Sequence, residues 1–378
     1  MVWLHTANGS GRKRHLLWLA AASVVLFATA GPARAASVYV TDSGENKVSQ
    51  FSVGPGGKLS PKSPAKLATG KSPRGVAVSP NGTNAYVVNP FSANISQYKI
   101  LAGGGLSPLT PRKVPAAADQ LDYPQYAAVS PDGGSLYVTT FGDAGHVNGA
   151  GGTVLQYDVG PDGHLTRISP FGVTADNGTY GVVVSPNGKN LYAANFIGGS
   201  LSQFGIGAGG TLSPKTPAAV GANSPRAVAV RPDGQSVYAV NLITYTVSQY
   251  TAGAGGKLRP KTPATVATGH YPEGVAVSPD GQSVYVSNSY SGEGRNGTIS
   301  QYNVGSGGKL SPKSPATVAA GREPFGLAIT PNGKNLYVAN SGGNDLWQYS
   351  VGPGGKLSPK SPARVATGAA PVAVAVSP

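Results

Sequence analysis

The sequence predicts an all-β fold: a seven-bladed β-propeller with four antiparallel strands per blade, its first blade closed by the C-terminal strand. Three observations lead there. First, a Ser/Arg/Thr-Pro-Asp/Asn-Gly turn recurs, with its proline at Pro80, Pro131, Pro186, Pro232, Pro279 and Pro331, and the chain stops at a seventh Ser377-Pro378. The intervals of 51, 55, 46, 47, 52 and 47 residues suit one blade each. Second, the segments between turns alternate with period two, the signature of strand rather than helix. Third, the two ends are complementary. Residues 37–40 read as the second strand of a unit and residues 373–376 as the first.

Each unit holds four elements in order. A small apolar run such as residues 275–277 comes first, and its small side chains suit a crowded axis. The Pro-Asp/Asn-Gly turn follows, with Gly supplying the positive φ of a tight hairpin. Next is an alternating strand such as residues 283–286, usually ending in Asn, then a loop of variable length. The third strand, as in residues 298–304, carries a Gln in every unit: Gln50, Gln97, Gln156, Gln203, Gln249, Gln301 and Gln348. A Gly-Gly turn leads to a fourth strand rich in Pro and Lys, as in residues 309–315. Proline and lysine belong on sheet edges, which places this strand on the outer rim. A solenoid would need capping repeats, and none is visible.

Residues 1–35 have the layout of a signal peptide. Arg12, Lys13 and Arg14 precede an apolar run from Leu16 to Ala30, and Ala33-Arg34-Ala35 fits a cleavage site. Residues 36–378 then form a single propeller domain, secreted or held in the cell envelope. There is no Cys, so core packing and hydrogen bonds alone hold the fold. The formal charge is +14, and removal of Arg12, Lys13, Arg14 and Arg34 leaves +10. That charge favours an anionic small molecule or envelope polymer as partner, including association with the cell wall. The recurring fourth-strand lysines (Lys58, Lys62, Lys215, Lys257, Lys261, Lys309, Lys313, Lys356, Lys360) would form a basic skirt or simply protect edges. Nucleic acid is not expected, because the basic residues are not interleaved with aromatic ones. The chain is expected to be a monomer without cofactor.

The run Pro-x-Gly-Val-Ala-Val-Ser-Pro-Asp-Gly, then Tyr-Val-x-Asn, then Val-Ser-Gln-Tyr, resembles the propellers named for their Tyr-Val-Thr-Asn repeat and the related seven-bladed lactonase propellers. The resemblance covers all of residues 36–378. It implies the propeller fold and raises hydrolysis of a lactone, 6-phosphogluconolactone being one family substrate, while other relatives are binding or surface proteins. Characterised lactonases often carry His just after the Pro that opens an inner strand. No Pro-His pair occurs here, so no family catalytic residue carries over.

Candidate site residues come from topology. The turn before each inner strand and the loop after each second strand lie on one face. Loops vary there and are monotonous on the other face, so this is the candidate functional face. One varied position per blade rings the channel mouth: Arg74, Gln125, Tyr180, Arg226, Glu273, Phe325 and Val372. Two Arg with Glu, Gln and Tyr could hold a carboxylate or phosphate, or could merely face water. Two longer loops add Asp143, His146, Glu293 and Arg295, and His270 lies on the same face. Glu273 and His146 are the candidate catalytic bases. Arg74, Gln125, Tyr180, Arg226, Phe325 and Arg295 are the candidate binding residues. Asp42, Asn89, Thr140, Asn195, Asn241, Asn288 and Asn340, at the second-strand exits, read as turn caps. No metal site is expected, since only His146, His164 and His270 follow residue 35 and no ligand spacing points to a cation.

Overall fold

The computed structural model describes residues 36–116, 123–142, 151–289 and 296–378. They form seven four-stranded sheets in which every neighbouring pair is antiparallel. Blade one runs outward from the axis as Pro371–Val376, Ser37–Asp42, Lys47–Val53 and Leu59–Ala68. Blades two to seven open with the inner strands Val76–Val78, Tyr123–Val129, Thr179–Val184, Pro225–Val230, Pro272–Val277 and Pro324–Ile329. The expected closure is present. Val38, Tyr39 and Val40 pair with Val376, Ala375 and Val374. The Ser377 amide donates to the Ser37 carbonyl at 2.8 Å, and the Ser37 amide donates to Ser377 Oγ at 2.9 Å.

Second strands such as Ser37–Asp42 and Ser283–Asn288 are buried along their whole length, because both faces of the blade are covered. Outer strands such as Leu59–Ala68 are largely exposed. The core is divided among blade interfaces. Val38 and Val40 of blade one pack with Tyr337, Ala339 and Leu346 of blade seven, and Tyr86 and Val88 of blade two pack with Leu136 and Leu155 of blade three. A single blade therefore has no complete core of its own.

Two polar stitches repeat at every interface. The third-strand glutamines are at most 1 % exposed. Gln50 Nε2 donates to the Pro64 carbonyl in its own outer strand, while Gln50 Oε1 accepts from the Leu106 amide of the next blade. Gln348 does the same with Pro362 and, across the closure, with Leu59. The second-strand tyrosines reach the same neighbour: Tyr39 Oη donates to the Gly104 carbonyl and Tyr337 Oη to the Gly57 carbonyl. Gly57 needs to be glycine twice over, having φ of 73° and so little room that a Cβ would lie 2.0 Å from Asn335 Oδ1.

The lysine skirt is partly consumed by this architecture. Nζ of Lys62, Lys215, Lys261, Lys313 and Lys360 donates to a turn carbonyl of the next blade: Gly103, Gly255, Gly307, Gly354 and Gly56. These five lysines are inter-blade ties. Lys58, Lys257, Lys309 and Lys356 are exposed beside them.

The second-strand exits act as caps. Asn89 Oδ1 accepts from the Gly70 amide and its Nδ2 donates to Ser96 Oγ. Asp42 occupies the same place in blade one, accepting from Ser49 Oγ and from the Gly368 amide of the closing segment. Burial pushes its carboxyl up to about 6, against the opposing pull of these donors. A raised folded-state pKa makes this contribution complete below the unfolded value of 3.8 and lost as pH rises through about 6. Burying the carboxylate then costs about 3 kcal/mol above that range. Asp42→Asn should raise the melting temperature at pH 8, change it little at pH 4, and flatten the decline between. An unchanged pH slope in thermal melts would refute this. Deleting residues 371–378 should expose the edge of Ser37–Asp42 and lower the melting temperature of the whole ring, in one transition followed by circular dichroism.

Candidate ligand site at the channel mouth

The inner strands start with a distortion that creates the site. In blade five Pro225 pairs with Asn241, but the next pair is Ala227 with Val240, which leaves Arg226 as the extra, unpaired residue. Glu273 is left out in the same way between the pairs Pro272–Asn288 and Gly274–Ser287. In blades three, four and seven the skipped residues are Gln125 with Tyr126, Tyr180 with Gly181, and Phe325 with Gly326. A bulge re-aims the side chain it carries. Second-strand hydroxyls fix these bulges from the neighbouring blade: Thr41 Oγ1 donates to the Arg74 carbonyl at 2.7 Å, Thr139 to that of Tyr180, and Ser287 to that of Phe325.

Four ring residues meet as two linked groups. Arg74 Nη1 donates to Gln125 Oε1 at 2.8 Å, and Gln125 Nε2 donates to the Tyr123 carbonyl at 2.9 Å. Arg226 Nε donates to Glu273 Oε2 at 3.0 Å, with side chains only 13 % and 10 % exposed. Tyr180 joins the groups. The Arg226 guanidinium lies 4.0 Å from its ring centroid and that of Arg74 lies 5.6 Å from it. Phe141 and Phe196 buttress Tyr180, at 5.1 and 6.0 Å between ring centroids.

A cavity of about 160 Å³ lies on the axis beneath this ring, lined by all seven blades, with Arg226, Glu273 and Phe325 among its walls. Burial pushes the Glu273 carboxyl up, opposed by Arg226 and Arg74. Burial works against the Arg226 charge, but Glu273 and Tyr180 more than compensate and hold the guanidinium protonated. Within this group the charges of Arg74 and Arg226 exceed that of Glu273 by one. A desolvated carboxylate flanked by guanidinium donors can take a proton from water and stabilise a developing oxyanion. A larger cleft of about 740 Å³ lies among the monotonous turns between blades six and seven. Its carboxylate, Asp280, is tied to Ser278, and it gathers no comparable set of charges.

The structure thus brings together Arg74, Gln125, Tyr180, Arg226 and Glu273, and puts Phe325 in the cavity wall. Val372 is buried, and the next residue, Ala373, lines the cavity in its blade. His146 and Arg295, with Asp143 and Glu293, lie outside the described residues. His270 packs at a tilt against Tyr245, with ring centroids 4.7 Å apart, and is not among the residues that line the cavity. His164, read as a turn residue, pairs with Asp162 and reaches the Thr110 carbonyl. Among the described residues no three metal-ligating side chains converge.

One wall residue escaped the sequence reading. Tyr126 lines the cavity, and it was detectable as an exception one position further along the inner strand. There the other blades have Gly75, Gly181, Ala227, Gly274, Gly326 and Ala373.

The buried ion pair has a measurable signature. Glu273→Gln should leave Arg226 without its counter-charge and destabilise the fold by about 3 kcal/mol, whereas the double variant Arg226→Met/Glu273→Leu should recover most of that loss. Thermal or denaturant melts of the single and double variants check this; additive losses would show the two groups to be uncoupled.

Comparison with known proteins agrees with this fold. The profile of the family described as Lactonase, 7-bladed beta-propeller, matches residues 28–114, 109–219, 166–269 and 220–376. No curated protein matches the chain. Among solved structures, a provisionally named 6-phosphogluconolactonase of Bacteroides fragilis superposes with a TM-score of 0.74 at 21% identity, covering 91% of this chain and 98% of that one. A periplasmic gluconolactonase of Pseudomonas aeruginosa superposes with a TM-score of 0.73 at 19% identity, covering 91% and 99%. At such identities the superpositions speak to fold. The profile matches reach across all seven blades, and the chain belongs to the lactonase family of seven-bladed β-propellers.

Proposed function

We propose that the protein is an exported hydrolase of sugar lactones or related anionic small molecules, working at the channel mouth. The observation that carries this reading is the desolvated Arg226–Glu273 pair, roofed by Tyr180 and set beside Arg74, at an axial cavity lined by every blade. Family membership supports it, as does the pairing of a signal-like N-terminus with a periplasmic gluconolactonase among the structural neighbours.

In this reading Glu273 takes a proton from water as the water oxygen bonds to the lactone carbonyl carbon. The carbonyl oxygen gains the electron pair, and the guanidinium groups of Arg226 and Arg74 stabilise its negative charge. The tetrahedral species then collapses. The ring C–O bond breaks, the leaving alkoxide takes the proton from Glu273, and the open hydroxy acid departs. The net positive charge of Arg74, Arg226 and Glu273 suits a substrate with a phosphate or carboxylate substituent. Because burial raises the Glu273 carboxyl, activity should fall on acidification at a pH above the usual glutamate range.

The test is turnover of a panel of aldonolactones, corrected for spontaneous opening, by base uptake at constant pH. Wild type should exceed background, and Glu273→Gln should lose roughly 10²–10⁴-fold. Absence of turnover across the panel, or full activity in Glu273→Gln, would overturn the proposal. A second reading, a non-catalytic binding or scaffold propeller of the cell envelope, draws on the same pair. A Glu273 carboxylate already engaged by Arg226 is less free to accept a proton. It requires an anion bound through Arg74 and no lactone opened.

A further inference from the structure

Tyr126 departs from the seven-fold pattern at the most crowded place in the molecule. In the other six blades the equivalent residue is Gly or Ala. The reason is steric. A Cβ on Gly75 would lie 2.8 Å from the Tyr126 Cα, one on Gly181 2.8 Å from the Ala227 Cα, and one on Gly326 2.9 Å from the Ala373 Cα. Neighbouring inner strands touch there. Only Gly181, with no side chain, follows Tyr126 around the ring, and this lets a phenol ring enter the axial space.

Tyr126 shares the cavity wall with Arg226 and Glu273. It interacts electrostatically with Arg74, Arg226, Glu273 and Tyr180, which come from four other blades. Burial pushes its phenol up, so it stays protonated at neutral pH and acts as a donor. Among the described residues its hydroxyl has no hydrogen-bond partner, although its backbone is held by Thr139 Oγ1. A neutral donor without a protein acceptor, in the wall of a cavity, is available to a ligand. The cavity that remains is small, about 160 Å³, of the order of the roughly 150 Å³ that holds one benzene ring.

We infer that Tyr126 is the specificity-determining residue of the mouth: its ring restricts the site to a ligand of one sugar unit, and its hydroxyl donates a hydrogen bond to that ligand. This rests on the reading of the mouth as a site for sugar lactones and their acids, and it concerns recognition rather than bond cleavage. A second ring would have to extend down the axis, where Tyr126 stands. Glycine or alanine there, as in the other blades, would open that path.

The test is equilibrium binding of two acids to the full chain by calorimetry. One is gluconate, a single open-chain sugar unit; the other is lactobionate, which is gluconate bearing a second sugar unit, a galactose ring. Wild type should bind gluconate at least 10-fold more tightly than lactobionate. Tyr126→Ala should bring the two affinities within 3-fold of each other. Tyr126→Phe should keep the wild-type discrimination while weakening gluconate by about 5- to 10-fold, the loss of one hydrogen bond. Equal affinities in wild type, an unchanged ratio in Tyr126→Ala, or no gluconate binding at all would overturn the inference. Melting temperatures establish that each variant is folded, and Tyr126→Phe, which keeps the ring, carries the hydrogen-bond half of the test alone. Binding discrimination without lactone turnover would defeat the proposed hydrolase and leave Tyr126 in this role; turnover without discrimination would do the reverse.

Discussion

Each third strand of this propeller carries a glutamine whose side chain is sealed from solvent and whose amide is used at both ends. Nε2 ties the outer strand of its own blade, and Oε1 receives the first amide of the next blade's outer strand. A buried amide left half-paired is costly, so the stitch holds only while both partners are present. The ring inherits that condition. No blade satisfies its own glutamine, and none completes its own apolar cluster. The interface between blades seven and one has the same glutamine and tyrosine stitches as the rest, through Gln348 and Tyr337, and one of the five lysine ties, through Lys360.

The same geometry makes the axis the place for chemistry. Inner strands of adjacent blades approach so closely that their bodies are built mainly from Gly, Ala and Val, with Leu327 and Ile329 in blade seven. Only the first residues, released from pairing by a bulge, have room for large side chains. The functional groups are therefore gathered at the mouth by a backbone irregularity that a regular strand would not supply. Their burial follows from the convergence of seven blades, and burial is what raises the Glu273 carboxyl and makes its pairing with Arg226 necessary.

Departures from the repeat carry information because the frame is so regular. Asp42 replaces an asparagine cap beside the closing segment and introduces a buried carboxyl that its counterparts avoid. Tyr126 replaces a small residue and fills space that the other blades leave to the axis. The lysines point the other way. Their regularity allowed either a basic skirt or edge protection, and five of them are held by turn carbonyls of the neighbouring blade.

The number of blades, the four-strand order, the closure point and the ring of varied residues were all legible in the sequence. They depend on local patterns: period-two alternation, Pro-Asp/Asn-Gly turns and the spacing between them. The pairing of Arg226 with Glu273, the stacking of Tyr180 and the reach of Tyr126 were not, because each joins residues 40 or more positions apart in different blades. A repeat in the sequence says which position faces the axis. Which neighbour a side chain meets there depends on how far each blade leans toward it and how much space the next one leaves, and only the assembled ring sets those distances.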